Sequence, residues 1–215
     1  MAYYISGFRL ESISSRTVQV GGKFFVTGGE RHAQLCGHLD YDYVNAEFKC
    51  VEKAPMLYDR FCHSATSYGG DQIIVAGACE ECDDGFYKAE KYSVSENKWT
   101  ELPDLNEGRF YHASCTLKDD VYIFCGKGRD YKSGRTVTFL RTIERLYMGS
   151  NSSNTPIPRW QYMHLKFPVE SSPYGIYGIT LQAVNDHEIL IMGSYGYPRE
   201  TREKKDVFVY NVDTE

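Results

Sequence analysis

The sequence predicts an all-β fold made of repeated four-stranded units, and three observations carry that prediction. The block Arg60-Phe61-Cys62-His63-Ser64-Ala65 returns as Arg109-Phe110-Tyr111-His112-Ala113-Ser114, an offset of 49 residues. The same offset lays Ile73-Ile74-Val75-Ala76-Gly77 on Tyr122-Ile123-Phe124-Cys125-Gly126, and backwards lays Gln72 to Gly77 on Lys23-Phe24-Phe25-Val26-Thr27-Gly28. Finally, the apolar runs are short, separated by Gly, Asp and Asn, and none has 3.6-residue periodicity.

Each copy divides into four strands. In the second copy these are Ser64 to Tyr68, Gln72 to Ala76, Ala89 to Ser93 and Lys98 to Leu102. The second strand is apolar throughout its interior, as in a strand covered on both faces, and the third alternates like a half-exposed one. Tyr92 on the third strand and Trp99 on the fourth are seven residues apart, and Tyr41 and Phe48 repeat that spacing in the first copy. In the third copy Thr142 to Leu146 takes the strand position, and Trp160 follows an inserted polar loop over 149–158. A fourth copy begins at Glu188-Ile189-Leu190-Ile191-Met192-Gly193 and continues through Asp206 to Tyr210. A unit of about 40 to 50 residues with four strands is the signature of a propeller blade.

The boundaries read as 15–59, 60–108, 109–170 and a truncated 171–215, with 1–14 as a segment from a strand of another blade. The count is about four blades of four antiparallel strands, and the register of the fourth, in which Tyr210 calls for an aromatic near position 217, makes an incomplete ring the expected architecture. The composition, 42% hydrophobic and 25% charged, suits a globular core. A net charge of -5 argues against binding through a nucleic-acid backbone, and no apolar run approaches a membrane span, so neither nucleic acid nor membrane insertion is expected. Seven scattered cysteines suit a reducing compartment, and the expected location is cytoplasmic, with cytoskeletal association as a variant. That compartment would leave the glycosylation match at Asn151-Ser152-Ser153 unread.

The recurring markers resemble the Kelch repeat: an Arg-x-x-His-Ser opening, a hydrophobic strand ending in a glycine pair, then a tyrosine and a tryptophan six or seven residues apart. They are Gly28, Gly29, Arg60, Gly77, Tyr92, Trp99, Arg109, Gly126, Trp160 and Gly193, covering the chain from about Ser15 to Glu215. The glycine pair is intact only at Gly28-Gly29, becoming Gly77-Ala78, Gly126-Lys127 and Gly193-Ser194, which implies a divergent member. No Trp-Asp strand ending or Gly-His opening points to the WD-repeat alternative. Architecture accounts for these markers: glycines where the chain leaves the sheet, tryptophans between blades, arginines tying loops to backbone carbonyls.

The resemblance implies a non-catalytic protein-interaction module, a scaffold or adaptor. Its partner would be another protein: a ubiquitin-ligase component, actin or a multi-subunit assembly. It also implies that loops after the second strands and loops joining blades open on one face. The expected partner-binding residues there are Phe61, Cys62, Phe110, Tyr111, Arg129, Tyr131, Arg135, Tyr195, Tyr197 and Arg199. Aromatic anchors suit binding hot spots. Charge is uneven, with Glu80, Glu81, Asp83 and Asp84 on the second blade against Lys127, Arg129, Lys132, Arg135 and Arg141 on the third, a pattern that would orient a charged partner.

Chemistry is expected to be absent, with no catalytic residue, cofactor or metal. Cys79-Glu80-Glu81-Cys82, with Cys36 and His38 on the preceding blade, offers a zinc reading with metal-like spacing in only one half. Propeller enzymes, oxidase-like or epimerase-like, are the alternative. Copper chemistry would need converging histidines, and His63 and His112 occupy the repeat's own structural position. No nucleophile elbow or phosphate-cradling loop occurs.

Overall fold

The computed structural model describes residues 14–82, 84–130, 135–148, 158–163, 178–194 and 205–214. Seventeen strands and no helix appear among them. The first sheet holds β1 (Arg16–Val20), β2 (Lys23–Thr27), β3 (Cys36–Asp42) and β4 (Glu47–Glu52), each antiparallel to the next. The second repeats this with β5 (Ser64–Tyr68), β6 (Gln72–Ala76), β7 (Ala89–Ser93) and β8 (Lys98–Leu102). In the third sheet β9 (Ala113–Leu117) and β10 (Asp120–Phe124) pair on with β13 (Ile143–Tyr147) and β14 (Arg159–Met163). Between β10 and β13 rises a separate hairpin of β11 (Lys127–Asp130) and β12 (Arg135–Phe139). The fourth sheet consists of β15 (Thr180–Ala183), β16 (Glu188–Ser194) and β17 (Lys205–Asn211).

These four sheets are arranged as the blades of a β-propeller. The innermost strands pack side by side, β5 beside β1 and β9, and β9 beside β15. Three apolar layers lie between successive blades. Phe25, Met56, Ile73 and Tyr92 fill the first, Ile74, Leu105, Val121 and Ile123 the second, and Phe124, Ile143, Leu181 and Ile189 the third. Because consecutive residues of a strand point to opposite faces, Ile73 and Ile74 serve different layers. That double duty is why the second strand of each blade is apolar without alternation. Where no described blade covers a face the same position is open: Ile73 is 0% exposed, and its first-blade counterpart Phe24 is 48% exposed.

Two registers differ from the sequence reading. The residue after the second strand is left-handed in each of the first three blades, with φ of 59° at Gly28, 67° at Gly77 and 57° at Cys125. Cys125, not Gly126, is therefore the counterpart of Gly77, and Gly126 takes the place of Gly29 and Ala78. The offset slips by one residue because the turn between β9 and β10 is one residue shorter than that between β5 and β6. Gly193 does not end its strand either. It pairs with Asp206 inside β16, where a Cβ would come within 2.8 Å of the Ile179 backbone. The third-blade loop expected to carry Lys127, Arg129 and Arg135 instead holds the β11–β12 hairpin. The polar insertion over 149–157 and the segment 1–13 lie outside the described residues.

Candidate functional site

One end of the propeller is built from the segments that join blades and the loops that follow the second strands. They interlock through the backbone: Gly29 N–H donates to the Arg60 carbonyl at 2.8 Å, Cys79 N–H to Phe61 at 2.8 Å and Lys127 N–H to Phe110 at 2.8 Å. Around the axis runs a second set. Cys62 N–H donates to the Ser14 carbonyl at 3.1 Å, Tyr111 N–H to Cys62 at 3.0 Å and Gly178 N–H to Tyr111 at 3.1 Å. All four residues are left-handed, with φ of 68°, 57°, 52° and 66° in chain order. That conformation is unfavourable for a residue as bulky as tyrosine, and it recurs because the turn aims each N–H at the preceding blade.

Two buried arginines hold the loop stems. The Arg60 Nη1 donates to the carbonyls of Gly77 and Lys88, both at 2.8 Å, and its Nε meets Glu90 at 2.8 Å. Arg109 repeats the set with Cys125 at 3.0 Å, Thr142 at 3.3 Å and Glu144 at 2.6 Å. The second oxygen of each carboxylate accepts from the incoming joining segment, from Leu57 N–H at 2.8 Å and from Asn106 N–H at 2.9 Å. A buried guanidinium is tolerable only with this kind of pairing. Farther out, Trp99 Nε1 donates to the Ala54 carbonyl at 2.8 Å and Trp160 Nε1 to Pro103 at 2.9 Å, each fastening an outer strand to the segment arriving from the blade before. Glu90 and Glu144 escape a reading of the sequence by its repeat markers. Their signal is an acid two residues before Tyr92 and Leu146 in an otherwise half-buried strand.

His63 and His112 lie beneath the joining segments. His63 Nε2 is 2.8 Å from the Thr27 hydroxyl and His112 Nε2 is 3.0 Å from the Ala76 carbonyl, both on the preceding blade. Burial, reinforced by neighbouring arginines, pushes both imidazoles well below their ordinary value, so they are neutral.

Among the residues expected to meet a partner, Tyr111 is 37% exposed, and its hydroxyl, hydrogen-bonded to the Cys62 thiol, is pushed up to about 12. Cys62 and Phe110 are buried with Phe86, and Phe61 packs half-buried against them, so these three brace the loops from below. Arg129 stacks over the Phe86 ring at 5.1 Å, faces the Glu80 carboxylate at 3.6 Å and donates to the Glu80 carbonyl. The acidic and basic loops thus meet at this point instead of standing apart. Arg135 lends its backbone to β12, while its side chain, with Tyr131, Tyr195, Tyr197 and Arg199, lies outside the described residues.

A cleft of about 880 Å³ opens where the β2–β3 loop meets the first joining segment, with Glu30, Arg31, His32, Lys53 and Asp59 on its walls. A smaller one of about 320 Å³ continues past Asp59 to Glu81 and Asp84. Cys82 lines it, its thiol pushed up to about 11 chiefly by burial, and burial also raises Cys79. Among the described residues no group of three or more His, Cys, Asp or Glu stands where it would hold a metal ion. None of the described residues forms a helix long and apolar enough to cross a membrane.

No protein-family model matches the chain. It is similar to putative protein tag-53 of Caenorhabditis elegans, 21% identical over 193 residues, covering 86% of this chain and 14% of that protein. It is also similar to tRNA wybutosine-synthesizing protein 4 of Candida albicans, 28% identical over 106 residues, covering 48% of this chain and 15% of that protein. The chain therefore spans about a seventh of the length of these curated relatives. Among solved structures, YjhT superposes with a TM-score of 0.63 at 15% identity, covering 87% of this chain and 60% of that one, a likeness of fold.

Proposed function

We propose that the chain is a Kelch-type propeller that acts as a non-catalytic protein-interaction module, a cytoplasmic scaffold or adaptor that takes its partner on the loop face. The observation that carries this reading is the cleft of about 880 Å³ between the β2–β3 loop and the first joining segment. Its walls carry both acid and base, and the joining segment on one side is fastened at Ala54 by the Trp99 Nε1–H and at Arg60 by Glu90. Such a surface presents polar groups in fixed positions, which lowers the ordering cost of binding.

The test is affinity capture with wild-type protein and with a Glu30→Lys, Asp59→Lys variant, followed by quantification of each co-purified protein. Loss of about tenfold in recovery of a specific partner is expected, since reversing rim charges penalises a complementary surface. Equal recovery from both proteins removes the cleft from the interface. Actin in the captured fraction, lost with the variant, would specify the cytoskeletal form of the reading.

A further inference from the structure

Cys79 and Cys82 stand at the two ends of a turn in the β6–β7 loop, where Cys82 N–H donates to the Cys79 carbonyl at 2.9 Å. A turn closed in this way holds its first and last Cα atoms within about 7 Å, the span that a disulfide can bridge. The repeat does not call for a thiol at the first of these positions. Lys127 holds the place of Cys79 in the third blade, since each donates its N–H at 2.8 Å to the residue that follows the joining arginine.

The two thiols have different surroundings. Cys79 is half-buried against the cluster of Cys62, Phe86 and Phe110, and its sulfur accepts from the N–H groups of Glu81 and Glu80. Turn N–H groups aimed at a sulfur favour the thiolate, the form that attacks a disulfide. Cys82 is buried but lines the cleft of about 320 Å³, and its sulfur accepts from the Phe61 N–H. Burial raises both thiols, Cys82 up to about 11, so the half-buried Cys79 is the first to react and Cys82 the second. Cys62, the other thiol of this cluster, is 1% exposed and hydrogen-bonded with the Tyr111 hydroxyl, which keeps it from competing.

We propose that Cys79 and Cys82 form a thiol–disulfide exchange site that takes low-molecular-weight disulfides. The Cys79 thiolate attacks one sulfur of the disulfide, breaking its S–S bond and releasing the first thiol. Cys82, as thiolate, then attacks the Cys79 sulfur of the mixed disulfide, closing the Cys79–Cys82 bond and releasing the second. The two cysteine protons leave on the released thiols, and the two electrons the cysteines lose reduce the incoming disulfide. Glu80 and Glu81 lie inside the ring so closed. Since Glu80 faces Arg129 and Glu81 lines the small cleft, the bond fixes the point where the loops of the second and third blades meet. This site goes beyond the interaction reading above and does not rest on it.

The test equilibrates the native protein with hydroxyethyl disulfide and mercaptoethanol at graded ratios, quenches with acid and maps the bonds by mass spectrometry. Two of the seven thiols are expected to be lost first, as a Cys79–Cys82 bond, at a ratio that leaves the other five reduced, and dithiothreitol should restore all seven. The bridged protein should melt no lower than the reduced one, because the native turn already holds the pair together. In Cys82→Ser the mercaptoethanol adduct should accumulate on Cys79, and in Cys79→Ser the adduct on Cys82 should form about tenfold more slowly. The wild-type map needs neither variant to fold. Absence of a Cys79–Cys82 bond at every ratio, a bond from Cys79 to Cys62 in its place, or a bridged protein that melts lower overturns the proposal. Adduct formation on Cys82 as fast as on Cys79 overturns it as well.

Discussion

The Nε of Arg60 stands 2.8 Å from the Glu90 carboxylate with both side chains fully buried, and the pair joins a loop stem, a third strand and the segment arriving from the preceding blade. Removing one charge leaves the other uncompensated. Glu90→Gln should therefore lower stability by about 3 to 5 kcal/mol in urea unfolding, and the Arg60→Met, Glu90→Leu double variant should lose less than the two single losses added together. Strict additivity would show that the two groups act separately.

Acid should weaken the fold through its buried histidines. His63 and His112 titrate well below 6.5 when folded, so between that depressed value and about 6.5 only the unfolded chain takes up their protons. Stability is then fully present above 6.5 and falls as the pH drops, by up to about 1.4 kcal/mol per pH unit for each histidine. Urea midpoints at pH 7.5 and 5.5 measure this, and His63→Gln should flatten the dependence. An unchanged slope in that variant would assign the effect to other groups.

Two glycines with similar backbone angles should respond differently to alanine. Gly70, at φ of 80°, has open space at its missing Cβ, so Gly70→Ala should cost only the left-handed strain of about 1 to 2 kcal/mol. At Gly77 a Cβ would lie 2.3 Å from the Arg109 carbonyl oxygen. Gly77→Ala should cost more than Gly70→Ala, because backbone of the next blade must shift as well. Equal melting temperatures for the two variants would contradict the close approach.

The thiols should resist alkylation in a graded way. Burial pushes Cys36, Cys115 and Cys125 up to about 12, whereas Cys50 and Cys79 are half-buried. With iodoacetamide at pH 8, the first three should react on the order of a thousandfold more slowly than a free cysteine, as their thiolate fraction is that small. Mass spectrometry of the native protein should find label first on Cys50 and Cys79. Labelling of Cys115 at the rate of Cys50 would show that the third layer opens readily.

Strand positions in the second blade were legible because Ile73 and Val75 face one layer, Ile74 and Ala76 the next, and Tyr92 with Trp99 the first again, and layer geometry imposes residue type. The slip at Cys125 was not legible, since the glycine beside it suggests the left-handed site that a cysteine in fact occupies. The hairpin over Lys127–Phe139 was hidden for another reason: it pairs with itself above the blade and so carries no apolar signal from a layer. Glu90 and Glu144 read as ordinary exposed strand acids until the buried arginines opposite them are located.

The bonds from Arg60 Nη1 to Gly77 and Lys88, and from Arg109 Nη1 to Cys125 and Thr142, close the base of each loop across both its stems. What lies above that closure differs greatly: a short turn-rich crossing in one blade, a whole hairpin in the next, with β6–β7 and β10–β13 in regular register below. Loop length is thereby decoupled from blade integrity. Such a chain can exchange the content of these loops by insertion or deletion without renegotiating its core, and a foreign peptide grafted between residues 78 and 87 should inherit the same rigid pedestal.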